Sequence, residues 1–387
     1  MRICLDVSQS VYEGTGSGRY VIELVKAFLR TFPDESYVLF GSASKKYESL
    51  VELGSEYKEI SKDSITEKYY RFPPTFFEYV WNKFHLLPIE RLIGQFDLYH
   101  SSDWTQAPSS AVKVTTVHDL IPFLFPEYVH PRIREAHELR WKHIVADKVE
   151  IVVDAAATKK DILDRFAVDA SRIHVISLAC SPKYYEIGKA NIANRSDFVS
   201  ARDIVLAKFD IQAKKYILAV GTLEPRKNIA NLVEAYTRLD PSVRQEYSLV
   251  IVGKKSWADD LPKTAGVVLT GYVEEEDLPY LYAGAKCFVM PSLYEGFGLP
   301  VLEAMACGTP VLCSRLSSLP EIGGNDVHYI ENPQDIDSIK SGLNTVLSTD
   351  QTVLSQKIQA AYTRAREFSW ERTATETMGV YKQLMGK

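Results

Sequence analysis

The stretch from Cys287 to Cys313, CFVMPSLYEGFGLPVLEAMACGTPVLC, leaves the chain little choice of local structure. Cys287 to Met290 is a short apolar run, read as a strand, and Pro291 stops it by withholding a ladder donor. Gly296 and Gly298 give the following loop a backbone freedom that side chains would deny. Pro300 suits the first turn of a helix, where its missing N–H costs nothing. Gly308 ends that helix, and Val311 to Cys313 start a second buried strand. The backbone N–H groups of Phe297, Gly298 and Leu299 therefore fall at a helix N-terminus, which is an anion site. Glu295 lies in the loop and Glu303 one helical turn in. Acids beside a phosphate site make sense for a sugar nucleotide: the N–H groups hold the diphosphate while carboxylates accept from ribose or hexose hydroxyls. The same residues also suit a plain βαβ unit with a dipole-favoured Glu in its first turn.

At 387 residues the chain is long for one domain, and two domains of roughly 180 residues are the natural expectation. An apolar fraction of 46% can fill two cores. A net charge of −5 argues against a nucleic-acid binder. The five cysteines, Cys4, Cys180, Cys287, Cys307 and Cys313, have no metal-like spacing and read as thiols in a reducing cytosol. The opening MRICLDVS reads as a strand rather than a signal peptide, and no apolar run approaches the roughly 18 residues of a membrane span.

Along the chain, Met1 to Val7 reads as the first strand, and Gly14, Gly16 and Gly18 precede an amphipathic run from Arg19. Such a turn can cradle phosphate or simply pack tightly. Residues 57–88 interrupt the α/β rhythm with aromatics from Tyr69 to Phe84 interleaved with Lys68, Arg71 and Lys83. Two readings stand: a membrane-surface segment over residues 68–84, or a helix packed on the first sheet with its aromatics inside. Val112 to Val117 is a strand ending at His118-Asp119, and strand carboxyl ends are where open α/β sheets bind ligands. Residues 183–212 read as an interdomain connection with a short helix. After the strand Tyr216 to Val220, Arg226 and Lys227 stand before a helix whose positive end repels them, a conflict that a bound anion would relieve. Lys254, Lys255 and Trp257 follow a further strand.

Glu295-Gly-Phe-Gly-Leu-Pro-Val-Leu-Glu303, with PSLYE in front, resembles the E-x7-E motif of retaining nucleotide-sugar glycosyltransferases of family four. GSGRY, VHDLIPFLFPEY and the Pro320-Glu321 to Gly324 turn resemble further segments of that family, so the likeness covers nearly the whole chain. The resemblance implies an α/β chain of the GT-B fold: two Rossmann-like domains facing across a cleft, with a C-terminal helix crossing back to the first. On that basis residues 1–183, with 369–387 packing back, form the acceptor-side domain, 184–212 the linker, and 213–368 the nucleotide-sugar domain. The same resemblance assigns the donor diphosphate to Arg226, Lys227, Gly16, Gly18, Phe297, Gly298 and Leu299. It assigns the hexose to His118 and Glu295, with Asp119 positioning it or helping to orient the acceptor, the nucleobase to Tyr272 and Val273, and the nucleotide also to Glu303. One departure stands out: Ala155-Ala156 replace a Ser-Glu pair, and Asp154 is then the expected cap of the following helix.

The expected activity is hexosyl transfer with retention, mannose from GDP-mannose first, in O-antigen or related surface polysaccharide synthesis. UDP- or dTDP-dependent glucosyl, rhamnosyl or N-acetylhexosaminyl transfer, or a catalytically silent binding subunit, are the alternatives. No DxD-type pair on a strand end calls for a metal, and no cofactor is expected beyond the nucleotide-sugar donor. The expected acceptor is a glycan on a polyprenyl diphosphate, met by a cytoplasmic enzyme at the inner face of the membrane.

Overall fold

Thirteen strands build two separate parallel sheets in the computed structural model, which describes residues 1–12, 14–253 and 264–386. Lys254, Lys255 and Trp257 lie outside the described residues. The first sheet has the order β3-β2-β1-β4-β5-β6-β7. Its strands are β1 Arg2–Asp6, β2 Ser36–Ser42, β3 Ile65–Tyr70, β4 Leu98–Ser101, β5 Val112–Val117, β6 Glu150–Val153 and β7 Ile173–Val175. The second has the order β10-β9-β8-β11-β12-β13. Its strands are β8 Tyr216–Val220, β9 Ser248–Val252, β10 Val267–Gly271, β11 Cys287–Met290, β12 Val311–Ser314 and β13 His328–Ile330.

In each sheet the chain runs outward in one direction, returns to the middle, and runs out in the other. The order therefore reverses between β1 and β4 in the first sheet and between β8 and β11 in the second. Connections on either side of that point diverge, which opens a crevice at the strand carboxyl ends where α/β sheets bind ligands. Central strands are buried along most of their length, so apolar runs such as Tyr216–Val220 replace the alternation of a half-exposed strand.

Contacts divide the chain into Met1–Leu178 with Ser369–Lys387, and Ala179–Phe368. The C-terminal helix Trp370–Leu384 belongs to the first unit, where it packs on the helix Gly16–Thr31. Ser369 starts it as expected, its hydroxyl accepting the Arg372 N–H at 3.1 Å. The stretch 184–212, expected as a connection, is part of the second unit. Its helices Pro182–Ile192 and Ser196–Ala207 pack on the helix Leu278–Gly284, and the first of them also on Leu299–Ala306. Gly188 lets it approach so closely that a Cβ there would overlap the Ala306 carbonyl oxygen. All five cysteines are buried.

Two further local readings change. Residues 57–88 are not one helix: they hold the end of the helix Tyr47–Ile60, the edge strand β3 paired to β2, and a short helical run to Lys83. Phe77 and Trp81 enter the core beside Phe40, whereas Phe72, Phe76, Tyr79, Phe84 and Leu86 stay exposed. Asp154 does not cap the helix Ala156–Arg165; Ala155 holds that position without a side-chain bond, and Asp154 is engaged elsewhere.

Candidate functional site

Both candidate sets stand at a topological switch point, each in its own unit. In the second, β8 leads through Gly221 into the turn Pro225–Lys227, and Asn228 enters the next helix in the left-handed region at φ 61°. Asn228 pins this turn by donating its side-chain amide to the carbonyls of Pro291 and Pro333 at 3.1 and 2.6 Å. The turn is thereby set against the loop after β11, and Leu293 N–H bonds the Arg226 carbonyl at 2.8 Å.

Arg226, Lys227 and Glu295 meet there. Lys227 Nζ lies 2.8 and 3.0 Å from the two Glu295 oxygens, and Arg226 Nη1 lies 3.1 Å from Oε2. Arg226 Nε also bonds Glu224 at 2.9 Å. The conflict between two cations and a helix N-terminus is thus answered by two carboxylates, of which Glu224 was not anticipated although it lies two residues before Arg226. Burial raises the Glu295 carboxyl, but Lys227 and Arg226 outweigh it and hold the group below the usual carboxylate range. Burial pulls the Lys227 ammonium down, and Glu295 opposes that.

The loop after Glu295 is held by two hydroxyls that sequence reasoning missed. Ser317 and Ser318 donate to the Glu295 carbonyl at 2.5 and 3.0 Å, and Ser318 also lies 2.7 Å from the Phe297 carbonyl. Gly298, at φ 107°, turns the chain into the helix Leu299–Ala306 with Pro300 in its first turn. Phe297 is buried. Glu303 is buried inside that helix and accepts the Tyr282 hydroxyl at 2.9 Å. Tyr272 and Val273 follow β10, the tyrosine 47% exposed and the valine buried.

In the first unit, β1, β4 and β5 end around a cavity of about 30 Å³ whose lining includes Asp6, Ser17, Tyr20, His100, Asp103 and His118. Gly16 and Gly18, expected in the loop before the helix, lie inside its first turn, where Thr15 Oγ1 accepts the Gly18 N–H at 3.1 Å. A Cβ on Gly18 would stand 2.6 Å from the Tyr12 carbonyl oxygen, so tight packing accounts for this glycine. His118 Nδ1 is 2.7 Å from Asp154 Oδ2, and the Tyr20 ring meets the imidazole edge-on at 4.7 Å. Burial would lower the His118 pKa, but the carboxylates of Asp154, Asp103 and Asp119 push it up to about 9. Asp119 Oδ1 also accepts the Ile121 N–H at 2.9 Å and so shapes the turn into the next helix.

Behind this set, Arg140 is fully buried and bonds Asp103 at 3.2 Å, Thr115 Oγ1 at 2.6 Å and the Thr116 carbonyl at 3.0 Å. Burial drives His100 down to about 3, and its ring nitrogens pair with Thr116 and with Tyr381 of the C-terminal helix. Asp103 and Arg140 were missed and Asp154 was read only as a helix cap, because each acts through a fold-made contact rather than a local motif; Glu224 was missed although its contact with Arg226 is local. Among the described residues, no group of three or more His, Cys, Asp or Glu is arranged to hold a metal ion.

Comparison with known proteins gives this geometry its family. The family model described as Glycosyl transferases group 1 matches residues 202–365, and that of Glycosyltransferase Family 4 matches residues 14–182. The chain is 34% identical to O-antigen chain mannosyltransferase B of Escherichia coli, over 99% of its own length and 100% of that protein. It is 27% identical to O-antigen chain mannosyltransferase RfbU of Salmonella typhimurium, over 88% of its own length and 90% of the relative. Among solved structures, WaaG, a glycosyltransferase involved in lipopolysaccharide biosynthesis, superposes with a TM-score of 0.68 at 14% identity, over 98% of this chain and 99% of that one. Anabaena HepE, solved with UDP and glucose, superposes with a TM-score of 0.66 at 15% identity, over 98% and 99%. With two parallel α/β sheets of the GT-B type, both family models and an end-to-end relative in agreement, the chain belongs to the family 4, group 1 glycosyltransferases.

Proposed function

We propose that this glycosyltransferase moves mannose from GDP-mannose to a glycan hydroxyl, with the anomeric configuration retained, in the assembly of O-antigen or a related surface polysaccharide. The observation that carries the transfer chemistry is the cluster of half-buried Arg226 and Lys227 on buried Glu295, beside the start of the helix Leu299–Ala306. The choice of mannose and of O-antigen rests on the mannosyltransferase relatives that match along the chain.

In the reaction, the bond between the sugar C1 and the β-phosphate oxygen breaks, and a bond from the acceptor oxygen to C1 forms. The acceptor's proton passes to a β-phosphate oxygen, and GDP leaves. Negative charge grows on the diphosphate, where Arg226, Lys227 and the helix N–H groups are fixed donors that need no rearrangement. The diphosphate competes with Glu295 for these cations, which frees the carboxylate to accept from hexose hydroxyls. His118 is assigned to the hexose as well, Tyr272 and Val273 to the nucleobase, and Glu303 to the ribose. The cations make the transfer independent of a metal ion.

The acceptor is a glycan carried on a polyprenyl diphosphate, and the enzyme meets it at the inner face of the membrane. No helix among the described residues is long and apolar enough to cross a bilayer. Peripheral contact is supported by the exposed ends of residues 68–84 and their continuation: Phe72 and Phe76 stack at 4.7 Å, and Lys83 Nζ lies 5.0 Å from the Tyr79 ring centre. Phe84 and Leu86 are 58% and 62% exposed, a pairing of apolar and basic groups suited to a headgroup layer.

Purified enzyme incubated with a mannose-terminated acceptor and GDP-mannose, UDP-glucose or dTDP-rhamnose, with and without EDTA, tests the reading. Transfer from GDP-mannose alone, undiminished by EDTA and giving an α-linked product by NMR, is expected. Transfer only from UDP or dTDP donors overturns the donor, an inverted product overturns retention, and loss of transfer in EDTA overturns metal independence.

A further inference from the structure

His118 is not held by its neighbours in sequence. Parallel pairing of Val117 with Val153 brings the ends of β5 and β6 side by side, so the next residue on each strand, His118 and Asp154, become neighbours. Asp154 is 2% exposed, with Oδ2 on His118 Nδ1 at 2.7 Å and Oδ1 buried without a hydrogen-bond partner. A buried carboxylate with half its accepting capacity unmet is expensive to keep. It also does not cap the helix that follows, which begins on Ala155 with no side-chain bond. Structural need therefore gives no account of this acid, whereas service to His118 does.

We propose that Asp154 is the positioning residue of His118: it engages Nδ1, fixes the plane of the ring, and keeps Nε2–H as the donor offered to the substrate. This rests on the reading that His118 meets the hexose. The groups facing the imidazole agree with a protonated ring. Asp154 comes from the end of β6, Asp103 from beyond β4, and Asp119 from the next position in the chain. Against these three carboxylates stand Arg140, paired to Asp103, and His100, which burial keeps neutral. Tyr20 presents its ring on the remaining side. A proton on His118 sets two cations against these three carboxylates, where a neutral ring would leave Arg140 alone.

The test is the pH profile of kcat/KM for wild type, Asp154→Asn and His118→Gln, with nucleotide affinity measured in parallel. With His118 at about 9, transfer in the wild type is expected to fall only on the alkaline side of that value. Without the Asp154 charge, the imidazole returns toward an ordinary value of about 6.5. At pH 8 the protonated fraction then drops about 30-fold, and kcat/KM should drop with it, while at pH 6 the two enzymes should differ by less than about twofold. Nucleotide Kd should stay unchanged in both variants, since neither side chain is assigned to the nucleotide and the cations that are, Arg226 and Lys227, lie in the second unit.

An alkaline limb in Asp154→Asn that coincides with that of the wild type overturns the positioning role. Full activity in His118→Gln instead overturns the assignment of His118 to the hexose, so the two failures are distinguishable. Should Asp154→Asn not fold, nitrogen-15 imidazole shifts of the wild type decide the matter: both His118 nitrogens protonated at pH 7.5 is expected, and a neutral ring refutes the proposal.

Discussion

Replacing Glu295 with Gln removes one negative charge from a cluster in which it lies 2.8 Å from Lys227 and 3.1 Å from Arg226. At a separation of about 3 Å and an effective dielectric constant near 20, each such pair attracts by roughly 5 kcal/mol, much of it offset by the cost of desolvation. The variant leaves two largely buried cations, with Glu224 still bonded to Arg226. Stranding one side of a buried ion pair costs about 3–5 kcal/mol. In a unit of this size each kcal/mol lowers Tm by about 2–4 °C, so Glu295→Gln should melt about 6–20 °C below wild type. A nucleoside diphosphate restores the missing charge. GDP should therefore stabilise the variant more than the wild type, narrowing the gap as it saturates, and its Kd should fall by about tenfold, equivalent to about 1.4 kcal/mol. Transfer should nonetheless fall by a hundredfold or so, because the hexose loses an acceptor that orients it. Scanning fluorimetry from zero to about 100 times Kd, where ligand binding alone adds about 2.7 kcal/mol, reads the first effect, and initial rates read the second. A Tm gap that stays constant through the titration refutes the competition between diphosphate and Glu295.

Gly298→Ala places a side chain at φ 107° with its Cβ 2.6 Å from Leu319 Cδ2. Left-handed strain of about 1–2 kcal/mol should shift the start of the helix Leu299–Ala306 and weaken GDP binding about tenfold by calorimetry. His118, raised to about 9, contributes stability that is complete below its unfolded value of about 6.5 and lost as pH rises through about 9. Melting of the first unit should therefore fall between pH 6.5 and 9.5 by an amount on the order of 3 kcal/mol, and His118→Gln should flatten that fall. Changing Phe76, Tyr79, Phe84 and Leu86 together to Ser should cut binding to anionic vesicles at least tenfold in a flotation assay while leaving Kd for GDP intact. Unchanged flotation would sink the membrane reading of that surface.

The second-unit site was legible because its chemistry lies along the chain. Glu295, Gly298, Pro300 and Glu303 are spaced by one loop and one helical turn, so strand, loop and helix rules place them without knowledge of the fold. The conflict of Arg226 and Lys227 with a helix N-terminus was also readable, but not its resolution, since Glu295 lies 68 positions from Lys227 in the chain. The helix reading of the aromatic segment failed for a related reason. Strand β3 is an edge strand whose burial pattern shows no clean alternation, so its pairing with β2 left no period in the sequence. His118 shows the limit most clearly. A histidine at a strand end signals a ligand site, yet its charge depends on acids reached through neighbouring strands. Asp154 becomes its partner only through one register, Val117 against Val153, and a slip of one residue would turn the two side chains to opposite faces of the sheet. Local rules allowed Asp154 to be a helix cap; pairing of β5 with β6 decides against that, because it offers the carboxylate an imidazole at 2.7 Å, and a full charge there outweighs a backbone N–H at the cap.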